Sequence, residues 1–430
     1  MSETAISLSD IPEGVELEDY MAALFQASGY FVEKSLVKSD PADLLELDIF
    51  ATHYEDDQIF RRLIEVKGGK WGYSDLFKVL GWMKYLNLEH GSFLVSKWNG
   101  RQEAPRHMKD FGLDVIAFED FGVAPDLFES SGYGSIHGTE LLDIWRHSYS
   151  VERKLVETNL IKSRQGSPGA SEANEYYKLI NHGTFFATSP EESLLMLYGA
   201  YKSHPRLTLG YAMELDGGTF DANAASTVSQ SLWNALYKGM HFDLQASMYF
   251  EHRARISIIK AAVDYVIENR EEGGYLLNKD GSIEWRGILY QTLPSSFHDG
   301  VEWLRAQSNF QRFPIFWQQF MWSWGGFYLE NLKDREFDMM GRCAGLTKDE
   351  VQVALEAFDR FFPTGEWIVK RGSTDLRTVN MTPVVFQGIG AHRRRVEYGL
   401  EGGFSRIEHS SIYTPADLTL RNNCTVNFLS

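Results

Sequence analysis

Apolar residues recur along the first third of the chain with two different periods. Leu17, Met21, Leu24 and Phe25 fall at i, i+4, i+7 and i+8, one stripe of an amphipathic helix, and Gly29 follows where a helix C-cap would stand. Tyr30 to Ser35 reads as a strand. Leu45, Leu47 and Ile49 then alternate with polar positions. A further strand sets Ile64 and Val66 on one face and Glu65 and Lys67 on the other. The stretch from Tyr54 to Gln58 predicts a hairpin loop between these two strands. Leu76, Val79, Leu80, Met83 and Leu86 restore the helical period, and Phe93–Ser96 and Asp114–Phe118 add short strands around another short helix. This alternation predicts an α/β domain over residues 1–122, a mixed sheet flanked by helices.

Gly and Ser concentrate from Phe121 to Gly138, which predicts a linker over 123–138 and a domain boundary. A second loop is expected at Lys162–Ala173. Residues 139–430 otherwise read as mainly helical, with stripes at Glu191–Tyr201, Ala224–Tyr237 and Arg253–Asn269. The aromatic run Phe313–Leu329 contains Gln318, Gln319 and two glycines, and so predicts a buried helix instead of a membrane span. Gly341–Phe362 reads as helix, turn and helix, with Val351, Leu355 and Phe358 on one face. Such a unit can read a nucleic-acid groove, but the acidic Asp349, Glu350, Glu356 and Asp359 on its second helix favour plain packing. Trp303, Trp317, Trp322 and Trp324 could stack bases, and their density suggests core instead. This region is the expected place for recognition, oligomerisation or regulation.

The chemistry-bearing residues lie on the predicted hairpin. Glu65 and Lys67, two apart in a strand, put a carboxylate and an ammonium side by side, and the hairpin brings Asp48 next to them. Hard carboxylate oxygens suit Mg²⁺ or Mn²⁺, ions that keep several waters and pair with substrate phosphates. Lys70 follows a glycine pair and could meet a phosphate. Glu18 borders the apolar face of the first helix and could reach inward.

The run LELDIFATHYEDDQIFRRLIEVKGG, Leu45 to Gly69, resembles the active-site motif of the PD-(D/E)xK nuclease superfamily, and its neighbours resemble the Mrr-like branch of that restriction-endonuclease-like fold. The first helix with Glu18, the Gly29-Tyr30 step, and FLVS and DVIAF after the motif follow the same order, over roughly the first 120 residues. No Pro-Asp pair stands at the usual first position. Pro41 and Asp43 are separated, which leaves Asp48 as the better first acid. The resemblance implies a Mg²⁺-dependent phosphodiesterase, most simply a DNA endonuclease of a prokaryotic restriction or antiphage system. Asp48, Glu65, the Val66 carbonyl and Glu18 would be metal ligands. Lys67 would orient or deprotonate the attacking water, with its pKa lowered by the nearby metal.

Charge complicates this expectation. The chain carries a formal −17, and residues 1–120 hold 12 basic against 22 acidic residues. Nucleic-acid affinity comes largely from Lys and Arg, so binding must depend on a local basic groove, another region or a partner protein, including a second copy of the chain. The densest basic cluster, His392 with Arg393, Arg394 and Arg395, is a candidate. A catalytically silent binding or scaffold subunit, and an RNA-cleaving enzyme, stay open as alternatives. No Walker-type loop or HExxH motif is present, and two cysteines, Cys343 and Cys424, are too few for a Cys-ligated zinc. The N-terminal MSETAISLSDIPEG lacks the basic start and apolar core of a signal peptide, so a cytoplasmic protein without a membrane span is expected.

Overall fold

The predicted hairpin forms the centre of a five-stranded mixed sheet. In the computed structural model the described residues are 8–38, 45–56, 58–100, 103–137, 170–181, 189–203, 242–268, 291–324, 327–329, 333–362, 366–371 and 374–379, with short pieces between 142 and 153 and between 270 and 279. Pro41, Asp43, the helix expected at 224–237, His392 and Arg393, Arg394 and Arg395 lie outside them.

Strands β1 (Phe31–Lys38), β2 (Leu45–Glu55), β3 (Gln58–Lys67), β4 (His90–Val95) and β5 (Leu113–Ala117) lie side by side in chain order. The first three are antiparallel, and β3, β4 and β5 run parallel. Helix α1 (Val15–Ala27) precedes the sheet, α2 (Tyr73–Tyr85) connects β3 to β4, and the short α3 (Ala104–Lys109) connects β4 to β5. Gly29 ends the first helix as expected. Its φ of +88° is open to a residue without Cβ, and the Tyr30 N–H turns back to the Phe25 carbonyl at 3.0 Å.

Two cores cover the two faces of the sheet. Leu17, Met21, Leu24 and Phe25 of α1 are fully buried together with Ile49, Ala51, Ile64 and Val66. Leu76, Val79 and Met83 of α2 and Met108 of α3 cover Leu47, Phe50, Leu63, Phe93 and Val95 on the other face. The period-two reading of β3 therefore holds, with Ile64 and Val66 entering one core and Leu63 the other.

Where composition suggests a linker, the chain folds back onto α1. A 3-10 turn at Phe121–Val123, helix α4 (Ala124–Phe128) and a π turn at Glu129–Tyr133 bury Phe128 and Tyr133. The Phe128 ring meets the Phe25 ring edge-on at 4.8 Å. Small polar residues here make tight turns between buried aromatics.

The rest of the described chain is largely helical: α5 (Ala170–Asn181), α6 (Pro190–Ser203), α7 (Phe242–Glu268), α8 (Ser295–Arg305), α9 (Phe313–Trp324), α10 (Lys333–Ala344) and α11 (Lys348–Phe361). A small sheet is added by Phe327–Leu329, Glu366–Arg371 and Thr374–Val379. The aromatic run is the buried helix expected of it, since Phe313, Phe316, Trp317 and Phe320 of α9 are inside. Trp317 Nε1 donates to the Ala354 carbonyl at 2.7 Å. Val351, Leu355 and Phe358 of α11 pack inward, and Thr347 with Glu350 closes a capping box at its start. These helices share one core with α1, which includes Ile256, Phe316 and Trp317. Gln318 of α9 also covers the edge of the sheet: its amide donates to the Val32 carbonyl at 2.7 Å and accepts the Val32 N–H at 3.0 Å. An edge strand is thereby closed to further pairing. Among the described residues no helix is long and apolar enough to cross a membrane.

Candidate active site

Asp48 reaches the site through an irregularity in the ladder. The β1–β2 pairing holds one register on both sides of Ser35 and Asp48, but these two facing residues drop out of it, and Ser35 has a φ of +50°. Across this point β2 switches faces, because Leu45 and Leu47 belong to the α2 core whereas Ile49 and Ala51 belong to the α1 core. Irregular residues of this kind re-aim side chains beside functional sites. The pairing of β2 with β3 likewise ends at Ile49 and Ile64, and Asp48 Oδ2 accepts the Val66 N–H at 2.8 Å.

Glu65 is 2% exposed, with Oε1 2.6 Å from Lys67 Nζ. The carboxylate and ammonium expected side by side are in direct contact. Glu65 Oε2 is buried and has no hydrogen-bond partner. An unmatched buried carboxylate oxygen costs free energy unless something binds it.

The electrostatics follow from this crowding. Burial first, and then the Glu18 charge, push Asp48 up to about 6 against the Val66 hydrogen bond. Glu65 is raised by burial and by Asp48 despite Lys67. Glu18 is raised by burial, with Lys34 opposing. Like charges gathered out of water make the site hold protons it would release to a cation. The lowering expected of Lys67 depends on a bound metal, and the protein's own groups act in the opposite direction. Burial works against its ammonium, but the Glu65 hydrogen bond and the charges of Glu65, Asp48 and Asp75 outweigh that and raise it.

Among the described residues no three His, Cys, Asp or Glu side chains are assembled to hold a metal ion. Glu18 is therefore an electrostatic neighbour of Asp48 and Glu65 and does not complete a ligand cluster with them. Two carboxylates still fit Mg²⁺, which is bound by one or two carboxylates and keeps waters in its other positions. The orphan Oε2 of Glu65 and the Asp48 carboxylate are the fitting donors. Val66 is buried with its N–H engaged, and Lys70 lies exposed beyond the end of β3.

No known family, no curated protein and no solved structure matches the chain.

Sequence reasoning missed a second cation here. Lys78 of α2 has Nζ 3.8 Å from Glu65 Oε1 and 4.1 Å from the centre of the Trp82 ring. Its signal was its place beside the apolar stripe of the helix that directly follows β3. Also missed was a buried cluster at the other end of the hairpin. There Asp264 of α7 accepts from the Tyr54 hydroxyl at 2.7 Å, from Arg61 at 3.2 Å and from Lys260 at 3.0 Å. Arg61 also meets Glu268 at 2.6 Å.

Proposed function

We propose that the chain is a metal-dependent phosphodiesterase acting on nucleic acid, and that its N-terminal region is a restriction-endonuclease-like nuclease domain. One observation carries the reading: Asp48 and Glu65 converge at one end of the β2–β3 hairpin with a buried carboxylate oxygen left unpartnered, and Lys67 stands against them. The order of α1, three antiparallel strands, α2 and a parallel β4 supports it. DNA is the favoured substrate, in a cytoplasmic restriction or antiphage role, through the resemblance of the motif.

Hydrolysis joins a water oxygen to phosphorus and breaks the bond to the leaving sugar oxygen, which takes up a proton. Asp48 and Glu65 would hold Mg²⁺ or Mn²⁺, which supplies charge neutralisation and an acidified water when bound. Lys67, held against Glu65 Oε1 at 2.6 Å, would orient the attacking water or supply positive charge where the phosphate gains negative charge. Lys78 adds a second cation beside the same carboxylate. Burial of Glu65 limits stray water and strengthens these interactions.

The test is cleavage of supercoiled plasmid, linear duplex, single-stranded DNA and RNA with Mg²⁺, Mn²⁺ or EDTA, with Glu65→Ala run beside the native chain. Metal-dependent cleavage that the variant lacks is the expected result. Silence on every substrate, or cleavage that survives in EDTA, would remove the proposal.

A further inference from the structure

The positive charge of the N-terminal region is concentrated in one segment. Residues 67–109 hold eight basic and three acidic residues, in a chain of net −17. The segment includes α2, whose buried face carries Leu76, Val79 and Met83. At 100° per residue its outer face spans an arc of about 140°. This arc carries Tyr73, Ser74, Phe77, Lys78, Gly81, Lys84 and Tyr85, every one of them exposed, and no acid. Phe77 is 63% exposed, Tyr85 53% and Tyr73 41%. The one acid of the helix, Asp75, is turned away and accepts the Gly72 N–H at 2.7 Å.

Gly81 is a separate observation. It sits mid-helix in the middle of this arc, where glycine weakens a helix relative to alanine. A Cβ built there meets nothing within 4 Å, so packing within the chain does not require a glycine. A bare helix backbone between exposed aromatics and lysines suits a ligand that lies close against it.

We propose that this face of α2 is the track for a single-stranded nucleic acid entering the active site. Bases stack on Phe77, Tyr73 and Tyr85, phosphates meet Lys70, Lys78 and Lys84, and Gly81 lets the strand approach. A single strand fits better than a duplex because its unstacked bases offer faces to exposed rings. The track joins the site directly, since Lys78 belongs to this face and has Nζ 3.8 Å from Glu65 Oε1. The inference rests on the phosphodiesterase reading of that site and supplies the local basic surface that an acidic chain needs.

The test is fluorescence anisotropy of labelled single-stranded DNA, single-stranded RNA and duplex DNA with the full chain in EDTA, where binding is read without cleavage. Phe77→Ala should weaken single-strand binding about tenfold or more, and Phe77→Trp should restore it. Lys84→Ala should lessen the salt dependence of binding by about 0.7 in log–log slope. Gly81→Ala should raise the melting temperature while weakening binding, which a purely structural position would not do. Single-strand binding unaffected by Phe77→Ala and Gly81→Ala, preference for duplex, or no binding at all would overturn the track. So would loss of a dimer in Phe77→Ala with binding unchanged, which would make the face a contact between copies. Binding by this face in a chain without metal-dependent cleavage would leave the single-strand surface standing but remove the nuclease, and with it the role as an entry track.

Discussion

Asp48 and Asp264 lie at opposite ends of the same β-hairpin, and their surroundings push them in opposite directions. Burial raises both. At Asp264, Lys260, Arg61 and the Tyr54 hydroxyl outweigh burial and hold the carboxyl below its usual range. At Asp48 the Val66 N–H and the Lys67 charge do not offset burial and the charges of Glu18 and Glu46, and the carboxyl rises to about 6. A buried acid surrounded by donors ties α7 to the hairpin. Acids crowded against one another, with an oxygen unmatched, are arranged for something to arrive. Neighbours, not residue type or burial, separate structural charge from chemical charge in this molecule.

The contrast breaks most sharply in activity. Lys67→Ala should lower cleavage by about 10²–10³-fold, the loss typical of one charge-stabilising group, with substrate binding largely kept. Cleavage at the native rate would take the lysine out of the mechanism, and Asp264→Asn should leave rates per folded molecule unchanged. In stability the order reverses. Asp264→Ala strands Lys260 and Arg61 beside the core and should cost about 3 kcal/mol or more in denaturant unfolding. Glu65→Ala, which relieves crowding, should cost far less.

Metal sharpens the comparison further. At pH 7.5 Mn²⁺ at about 100 times its dissociation constant should stabilise the native chain by about 2.7 kcal/mol. At pH 5, below the Asp48 value of about 6, protons compete for the carboxylates and the gain should shrink. The smallest expected effect concerns Glu33 on β1, which burial pushes up to about 7 against Lys260, and whose Oε2 has no hydrogen-bond partner. Because its folded pKa lies above the ordinary 4.5, the stability it confers is present at low pH and lost as pH rises towards 7. Glu33→Gln stays neutral and should therefore be more stable than the native chain at pH 8, by about 1–3 kcal/mol, and nearly equal to it at pH 4. Melts at the two pH values check the sign.

Much of the site was legible because it is local. Period two alone put Glu65 beside Lys67, and the hairpin loop made Asp48 their neighbour. Residues joined through the third dimension were not legible. The face switch at Asp48 depends on Ser35 in another strand, and the Tyr54–Asp264 hydrogen bond links positions 210 apart in the chain. Gln318 looked like a polar interruption of an aromatic helix, yet it closes the edge of β1. The Gly- and Ser-rich stretch after β5 suggested a tether because composition does not report that Phe128 and Tyr133 are buried. Averaging charge over 120 residues likewise concealed the basic segment 67–109 between two acidic flanks.

The central claim is that Asp48 and Glu65 hold a divalent cation at the unsatisfied end of the hairpin. Electron paramagnetic resonance titration with Mn²⁺, on the native chain and on Asp48→Asn, Glu65→Gln and Asp264→Asn, tests it most directly. The account predicts saturable Mn²⁺ binding that is lost in the first two variants and kept in the third. Equal binding by the native chain and Glu65→Gln, or no binding by the native chain, would contradict it.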